Sequence, residues 1–270
     1  MSDVPDLRQF DAVLIDLDGT FYREQPGGPV VLPGAVELVR RLEARGQKYA
    51  CLTNSGASPR QLMHRLTQMG APVDERKIWS CAAAAADYVL RRFPQQPRIF
   101  NLATEGTAEL LEGRVVWVER HDEPCDAVMV AAPVNRFASV ERQWVALQLL
   151  RRGARLVGHC ADRVYPSHRG VEFGAGALTE MLAYAANTRP VYCGKPEPVF
   201  FLELCQRLGV APDRCILLGD NLESDVAGAH GVGMTSCLLL TGVATRSDAL
   251  ALSPDRRPHY MVDDLTRFIS

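Results

Sequence analysis

The sequence predicts an α/β fold on a mainly parallel sheet, with a second, smaller α/β unit inserted in its middle third. Three observations predict it. Short apolar runs alternate along the chain with segments whose apolar residues recur at helical spacing. That alternation implies βαβ units and parallel strands. It is interrupted at Phe93-Pro94-Gln95-Gln96-Pro97, where prolines break a helical pattern, and then restarts.

The elements follow in order. "AVLI" (12–15) is an apolar strand that ends on Asp16. "GAVELVRRLEARG" places Val36, Leu38, Val39 and Leu42 on one helical face and stops at Gly46. "YACL" is a strand ending at Thr53. "SPRQLMHRLTQMG" has Ser58 as N-cap, Pro59 at the first helical position and Gly70 at its end. "IWSC" is a third strand, and the five alanines 82–86 open a helix to about Phe93. Beyond the prolines come strand "RIFNLA", helix "EGTAELLEG", strands "VVWVE" and "AVMVAAP", helix "ERQWVALQLLRRG", strand "RLVGHC" and a helix over about 177–187. "PVYCGKPEP", helix "VFFLELCQRLG", strand "CILLGD", a short helix and strand "TSCLLLTG" complete the chain.

The bulk composition narrows the function classes. A chain of 270 residues, 47% apolar, can bury a large core in one or two domains. A formal charge of −2 gives no net field for nucleic acid or an acidic membrane. No run approaches the roughly 20 apolar residues of a membrane span, and "MSDVPDLRQF" has no apolar core of a secretory signal. Eight cysteines form no C-x-x-C pair, and several lie in apolar runs, which reads as reduced, buried thiols in a cytoplasmic protein.

Four strand ends carry polar residues that a buried strand has no use for. They are Asp16 and Asp18, Thr53-Asn54-Ser55, Gly194-Lys195-Pro196, and Gly219-Asp220-Asn221 with Asp225. Ligands of open parallel sheets bind at the carboxyl ends of the strands, so these groups would converge on one crevice if the strands are neighbours. Two aspartates one residue apart raise each other's pKa unless something cationic holds them. The set suits phosphoryl transfer. A lysine and a hydroxyl neutralise and hold a phosphoryl group, and carboxylates hold Mg²⁺ through oxygen. One aspartate can then act as nucleophile and its neighbour as acid and base. Taken singly, each motif also reads as something bland: an Asp-Gly turn, a surface lysine, a helix cap. Their joint occurrence, in order, favours the chemistry.

On these residues the chain resembles the haloacid dehalogenase superfamily of phosphatases. "DLDGT" (16–20), "LTN" (52–54), "GKP" (194–196) and "GDNLESD" (219–225) match its four-part signature. The match is closest to its class IIA branch, which includes pyridoxal phosphate, phosphoglycolate and nucleotide phosphatases. The resemblance implies a three-layer Rossmann-like core of residues 1–93 and 189–270 and an inserted α/β cap of 94–188. It implies Asp16 as nucleophile through an aspartyl-phosphate, Asp18 as acid and base, and Thr53, Asn54 and Lys195 as phosphate ligands. It implies Mg²⁺ on Asp16, the Asp18 carbonyl and Asp220, supported by Asp225. The expected substrate is a small phosphomonoester, such as a sugar phosphate, nucleotide, phosphoglycolate or pyridoxal phosphate. Relatives often form homodimers through the cap.

The cap departs from the family pattern. Where relatives carry an Asn-Pro-Asp-like stretch, this chain has "HCADRVYPSHRGVEFGAGAL", with Asp162 standing in for part of it. Ser55, Arg163, Tyr165, His168 and Arg169 are the candidates for substrate specificity, against the plain reading of a solvated loop. His121, His159 and His259 read as ordinary residues, and Trp79, Trp117 and Trp144 as core. "GAGAL" lacks the third glycine of a dinucleotide fingerprint, and no strand leads tightly into it. Two other functions compete. A dehalogenase on the same fold needs neither the proton of Asp18 nor the metal of "GDNLESD". A catalytically idle binding protein has no need to fill every signature position.

Overall fold

The computed structural model describes residues 4–93, 96–132, 138–167 and 170–269. The chain folds as two compact units, one of Met1–Thr53, Leu62–Trp79 and Lys195–Ser270, the other of Asn54–Gln61 and Ser80–Gly194. The division expected from the sequence differs in three stretches: 54–61, 80–93 and 189–194 pack with the second unit.

The first unit is built on six strands. They are β1 (Ala12–Asp16), β4 (Lys48–Thr53), β5 (Ile78–Ser80), β13 (Cys215–Gly219), β14 (Thr235–Leu239) and β15 (Tyr260–Val262), in the order β15-β14-β13-β1-β4-β5. The pairings of β1 with β4 and β13, and of β14 with β13 and β15, are all parallel. All five residues of β1 are buried, which is why it reads as a continuous apolar run rather than an alternation. Helix α1 (Ala35–Ala44) buries Leu38, Val39 and Leu42, as their spacing predicts, and Ala35 rather than Val36, which is only half-buried. Helix α2 (Pro59–Gln68) starts as expected: Ser58 Oγ accepts from Gln61 N–H, and Gln61 Oε1 accepts from Ser58 N–H. A small hairpin, β2 (Tyr22–Arg23) with β3 (Val30–Val31), follows β1 and was not visible in the sequence.

The second unit has its own parallel sheet of β6 (Arg98–Leu102), β7 (Val116–Trp117), β8 (Ala127–Val130), β9 (Arg155–Gly158) and β12 (Val191–Tyr192), in the order β12-β9-β8-β6-β7. Helices α3 (Cys81–Arg92), α4 (Glu105–Leu111), α5 (Val140–Arg151) and α6 (Ala175–Ala186) belong to this unit. Its core is one apolar cluster that includes Phe100, Val128, Leu149, Leu156 and Leu182. The alanines 82–86 do more than favour helix: all five are buried.

Three readings are corrected here. The stretch after Cys160 is not a plain loop. Residues Val164–Ser167 (β10) and Gly170–Phe173 (β11) pair as an antiparallel hairpin. Its alternation was hidden because neither face is a buried apolar one: Val164, Val171 and Phe173 are exposed. Consequently a strand does lead tightly into "GAGAL". The glycines there serve close packing, since a Cβ at Gly176 would lie 2.4 Å from the Ala161 carbonyl oxygen. Trp79 is buried as expected, but Trp144 is 46% exposed and meets the edge of His121. The chain also forms helices α7 (Pro198–Leu208), α8 (Ala227–Gly231) and α9 (Arg246–Ala251). Among the described residues no helix is long and apolar enough to cross a membrane.

Candidate active site

Strands β13, β1 and β4 are adjacent, so their carboxyl ends bring Asp220, Asp16 and Thr53 to one edge of the first sheet. Asp16 is the last residue of β1 and is buried. Asp18, two residues on, is exposed, and its Oδ2 accepts a 2.9 Å hydrogen bond from Thr53 Oγ1. Gly19 then turns the chain at φ +85°, and its N–H reaches the Tyr22 carbonyl at 2.7 Å. This positive φ is the reason for glycine after Asp18.

Lys195 enters this group from a different direction. The strand before it, β12, belongs to the second sheet, so Lys195 is not a strand end of the first sheet as the sequence reading had it. It lies on the turn into α7, and its Nζ is 2.5 Å from Asp16 Oδ1 and 2.7 Å from Asp225 Oδ1. Asp225 sits in a π-helical turn, Leu222–Val226, opened by Asn221. The Asn221 side chain accepts from Glu223 N–H and Ser224 N–H, and its own N–H donates to Asp225 Oδ2 at 3.2 Å. π turns of this kind recur at functional sites.

Asp220 is held from the loop after β14. Val243 N–H donates to its Oδ2 at 2.7 Å, and Ala244 N–H donates to its carbonyl at 3.1 Å. The carboxylate lies so close to that loop that a Cβ at Gly242 would overlap it. Thr241 Oγ1 donates to the Gly19 carbonyl at 2.6 Å, tying the same loop to the turn that carries Asp18. Sequence reasoning missed Thr241, Gly242 and Val243. The only signal was a Thr-Gly following an apolar strand, which any turn can have.

The electrostatics are those of crowded carboxylates. Burial pushes the Asp16 carboxyl well above the usual range; Lys195 opposes this, and Asp225, Asp220 and Asp18 add to it. Burial and the neighbouring Asp225 raise Asp220 to about 6. Burial alone would lower Lys195, but Asp16 and Asp225 outweigh it and hold the ammonium charged. One oxygen from each of Asp16, Asp220 and Asp225 lies within 4.8 Å of the others. Among the described residues three buried carboxyl groups gather on one ammonium, so their ionisation leaves an excess of negative charge. An all-oxygen donor set with that balance fits a hard divalent cation.

The remaining sequence candidates belong to the second unit. Asn54 Nδ2 donates to Asp162 Oδ2 at 2.9 Å, and Ser55 Oγ accepts from Ala57 N–H at 3.3 Å. Arg163 is exposed, and the Tyr165 hydroxyl reaches Glu172 Oε2 at 3.4 Å across the β10–β11 hairpin. His168 and Arg169 lie outside the described residues.

Residues 13–114 match a family described as haloacid dehalogenase-like hydrolase, and residues 192–268 one described as HAD-hydrolase-like. The chain is 32% identical over 248 residues to the rat haloacid dehalogenase-like hydrolase domain-containing protein 2, covering 92% of this chain and 90% of that one. It is 28% identical to the 5'-nucleotidase YutF of Bacillus subtilis, covering 97% of this chain and 99% of that one. Among solved structures, the glycerol phosphate phosphatase of Mycobacterium tuberculosis in complex with magnesium superposes at TM-score 0.86 with 26% identity, covering 97% of this chain and 77% of that one. The 4-nitrophenylphosphatase of Thermotoga maritima gives TM-score 0.86 with 26% identity and covers 98% of both chains.

Proposed function

The chain belongs to the haloacid dehalogenase-like hydrolases and is a phosphoric monoester hydrolase of their class IIA branch, and on that premise we propose that it hydrolyses a small phosphomonoester with Mg²⁺ through an aspartyl-phosphate on Asp16. The observation that carries this reading is the Asp16–Lys195–Asp225 ion triad beside Asp220, with Asp18 on Thr53.

Asp16, Asp220 and Asp225, with the Asp18 carbonyl, would hold the metal, which supplies positive charge for the phosphoryl oxygens. Lys195 opposes the rise that burial imposes on the Asp16 carboxyl, and a bound cation would favour its ionised form, in which an oxygen of Asp16 can attack phosphorus. The P–O bond to the leaving group breaks, and Asp18 supplies that oxygen with a proton. Asp18 then takes a proton from the water that cleaves the acyl phosphate and restores Asp16. Thr53 Oγ1 donates to Asp18 in this structure. When substrate binds, that hydroxyl turns to a phosphoryl oxygen and leaves Asp18 to meet the leaving group. Lys195 and Asn54 complete the phosphate grip.

The substrate class is narrower than "phosphomonoester". Relatives are named for nucleotides, for sugar phosphates and for glycerol phosphate. These three names share a polar alcohol as leaving group, whereas the 4-nitrophenylphosphatase neighbour is named for an aryl ester. We assign the choice among such alcohols to the second unit, with Arg163 and Tyr165 as its reading groups. A panel of phosphomonoesters with Mg²⁺, scored by phosphate release, tests the reading. No release from any member, with folded protein, overturns it.

A further inference from the structure

The turn that carries Asp18 and the carboxylate of Asp220 pack against each other with no side chain between them. A Cβ at Gly19 would overlap Asp220 Oδ2, and so would a Cβ at Gly242. The carboxylate therefore lies between two glycines, one from the turn after β1 and one from the loop after β14. Glycine at position 19 is required twice over, by this contact and by its φ of +85°.

That glycine loosens the turn. Without a Cβ, residue 19 has the widest choice of backbone angles of any residue, and Asp18 is its neighbour. A turn built on it needs bonds from outside to hold one shape. There is one on each side of the glycine. Gly19 N–H donates to the Tyr22 carbonyl at 2.7 Å, which closes the turn on itself. The Gly19 carbonyl accepts from Thr241 Oγ1 at 2.6 Å, which ties the turn to the end of β14. The same loop donates Val243 N–H to Asp220 Oδ2 at 2.7 Å and Ala244 N–H to the Asp220 carbonyl at 3.1 Å. Those two bonds come from the backbone and survive a change of side chain. The bond to Gly19 depends on the hydroxyl of residue 241.

We propose that Thr241 is a positioning residue for the proton transfer of Asp18: its hydroxyl fixes the Gly19 peptide, and with it the direction in which the Asp18 carboxyl meets the leaving group. The inference rests on the reading of Asp18 as acid and base. Asp18 has a second tie, the 2.9 Å hydrogen bond that its Oδ2 accepts from Thr53 Oγ1. In the reaction proposed above that hydroxyl turns to the phosphoryl group, so this tie is lost just when the proton has to be delivered. Thr241 bonds the backbone rather than the carboxyl, and its hold persists through the change. The carboxyl is then aimed by the peptide that Thr241 holds. A general acid must come within about 2.6–3.2 Å of the atom it protonates, and a misplacement of about 1 Å costs on the order of 10²-fold in rate. Asp16 lies within β1 and is bonded to Lys195, so nucleophilic attack does not depend on the tie. The defect on losing it is confined to protonation of the leaving group.

The test measures kcat/KM with Mg²⁺ for Thr241→Val and Thr241→Ser on two esters. One is an alkyl ester (glycerol phosphate, a hexose phosphate or a nucleoside monophosphate, whichever the wild type cleaves fastest), whose alkoxide needs a proton to leave. The other is 4-nitrophenyl phosphate, whose phenolate leaves without one. kcat/KM covers the steps up to departure of the leaving group, so the later attack of water does not enter. Valine keeps the shape of threonine without the hydroxyl, and serine keeps the hydroxyl. Thr241→Val is expected to lose about tenfold on the alkyl ester, part of the roughly 10²- to 10⁴-fold that a positioned acid contributes, and less than about twofold on the aryl ester. Thr241→Ser restores most of the loss. The rise in melting temperature on adding Mg²⁺ stays as in the wild type, because the backbone bonds to Asp220 remain. If Thr241→Val does not fold, Thr241→Ala carries the same readout.

Equal losses on both esters, no loss on either, or a loss that serine does not restore overturns the proposal. Equal losses with a weakened response to Mg²⁺ place the role of the loop on Asp220 instead. Asp18→Asn in the same assay separates the two ways to fail. A larger loss on the alkyl ester in Asp18→Asn, with Thr241→Val unmoved, overturns the role of Thr241 and leaves the acid standing. Equal losses in Asp18→Asn, or a wild type that cleaves no alkyl ester, overturn the acid and its positioning together.

Discussion

The two sheets of this chain obey one topological rule and put opposite chemistry at the same place. Both are parallel where their pairings are defined, and both collect polar residues just past the carboxyl ends of their strands. After β1 and β13 these are the carboxylates Asp16 and Asp220, gathered with Asp225 around Lys195. After β9 they are His159, Cys160 and Asp162, gathered with Cys81 and Asn54. The first set is charged and its charge does not sum to zero. The second is largely neutral and nearly every group has a partner. An unbalanced buried charge is unstable alone and calls for a ligand, whereas a satisfied neutral cluster holds a loop in one position. The fold supplies the location, and the residue types decide whether it binds or positions.

The largest effect should come from the charged region. Asp16→Asn should lower turnover by about 10³-fold or more, because an amide cannot form the acyl phosphate. It also removes one of three like charges, so thermal stability should hold or rise. Phosphate release and the melting temperature are the two readouts. Retention of substantial activity would mean that Asp16 is structural and that the contrast between the regions is misdrawn.

Asp18→Asn is the next largest, at about 10²-fold, the lower range for losing a general acid. The loss should depend on the leaving group. An alkyl phosphate needs the proton, and a nitrophenyl phosphate with its acidic phenol hardly does. Equal losses on the two substrates would remove Asp18 from the proton transfer.

The charge imbalance makes a third prediction, on stability against pH. Asp220 has a folded-state pKa of about 6, against 3.8 for the free side chain. A carboxyl raised in this way favours the folded state when protonated. Its stabilising contribution is present below pH 3.8 and is lost as pH rises through about 6. For Asp220 titrating alone the difference amounts to about 3 kcal/mol. Chelated protein should therefore gain stability from this group between pH 7.5 and 5.5. Added Mg²⁺ should raise the melting temperature more at the higher pH, where no proton competes for the carboxylate. A shift independent of pH would show that Asp220 is not among the ligands.

How much of this was legible in the sequence follows the same contrast. β1, β4 and β13 and their terminal Asp16, Thr53 and Asp220 were readable because a fully buried strand ending in a charge breaks its own pattern. The role of the loop at Thr241–Val243 was not, because it acts through backbone N–H groups and a missing Cβ, which no side-chain type announces. His159 looked ordinary for a similar reason. Its partner Thr107 is distant in sequence and is brought to it only by the second sheet and α4. The β10–β11 hairpin was hidden by exposure, since a strand without a buried face has no hydrophobic period to read.

That hairpin carries the smallest predicted effect. It lies in the second unit but belongs to neither cluster. Its Arg163 is exposed, its backbone carbonyl accepts from Gly174 N–H at 2.9 Å, and Gly174 is packed so tightly on Asp162 that a side chain there would overlap the Asp162 carbonyl. The backbone at Arg163 is thus fixed while its guanidinium is left to solvent. An exposed arginine on a pinned backbone can hold an anionic or hydroxylated leaving group without ordering the chain anew. Loss of one hydrogen bond to a charged group, worth roughly 1.5 kcal/mol, is about tenfold in kcal-to-rate terms. Arg163→Ala should therefore lower kcat/KM about tenfold for the best substrate of the panel, mainly through KM. An aryl phosphate, which offers no such group, should be unaffected, and the melting temperature should not move. The ratio of the two kcat/KM values, before and after substitution, isolates the effect. A constant ratio would place substrate choice away from this hairpin, leaving the second unit to act through Asn54 alone.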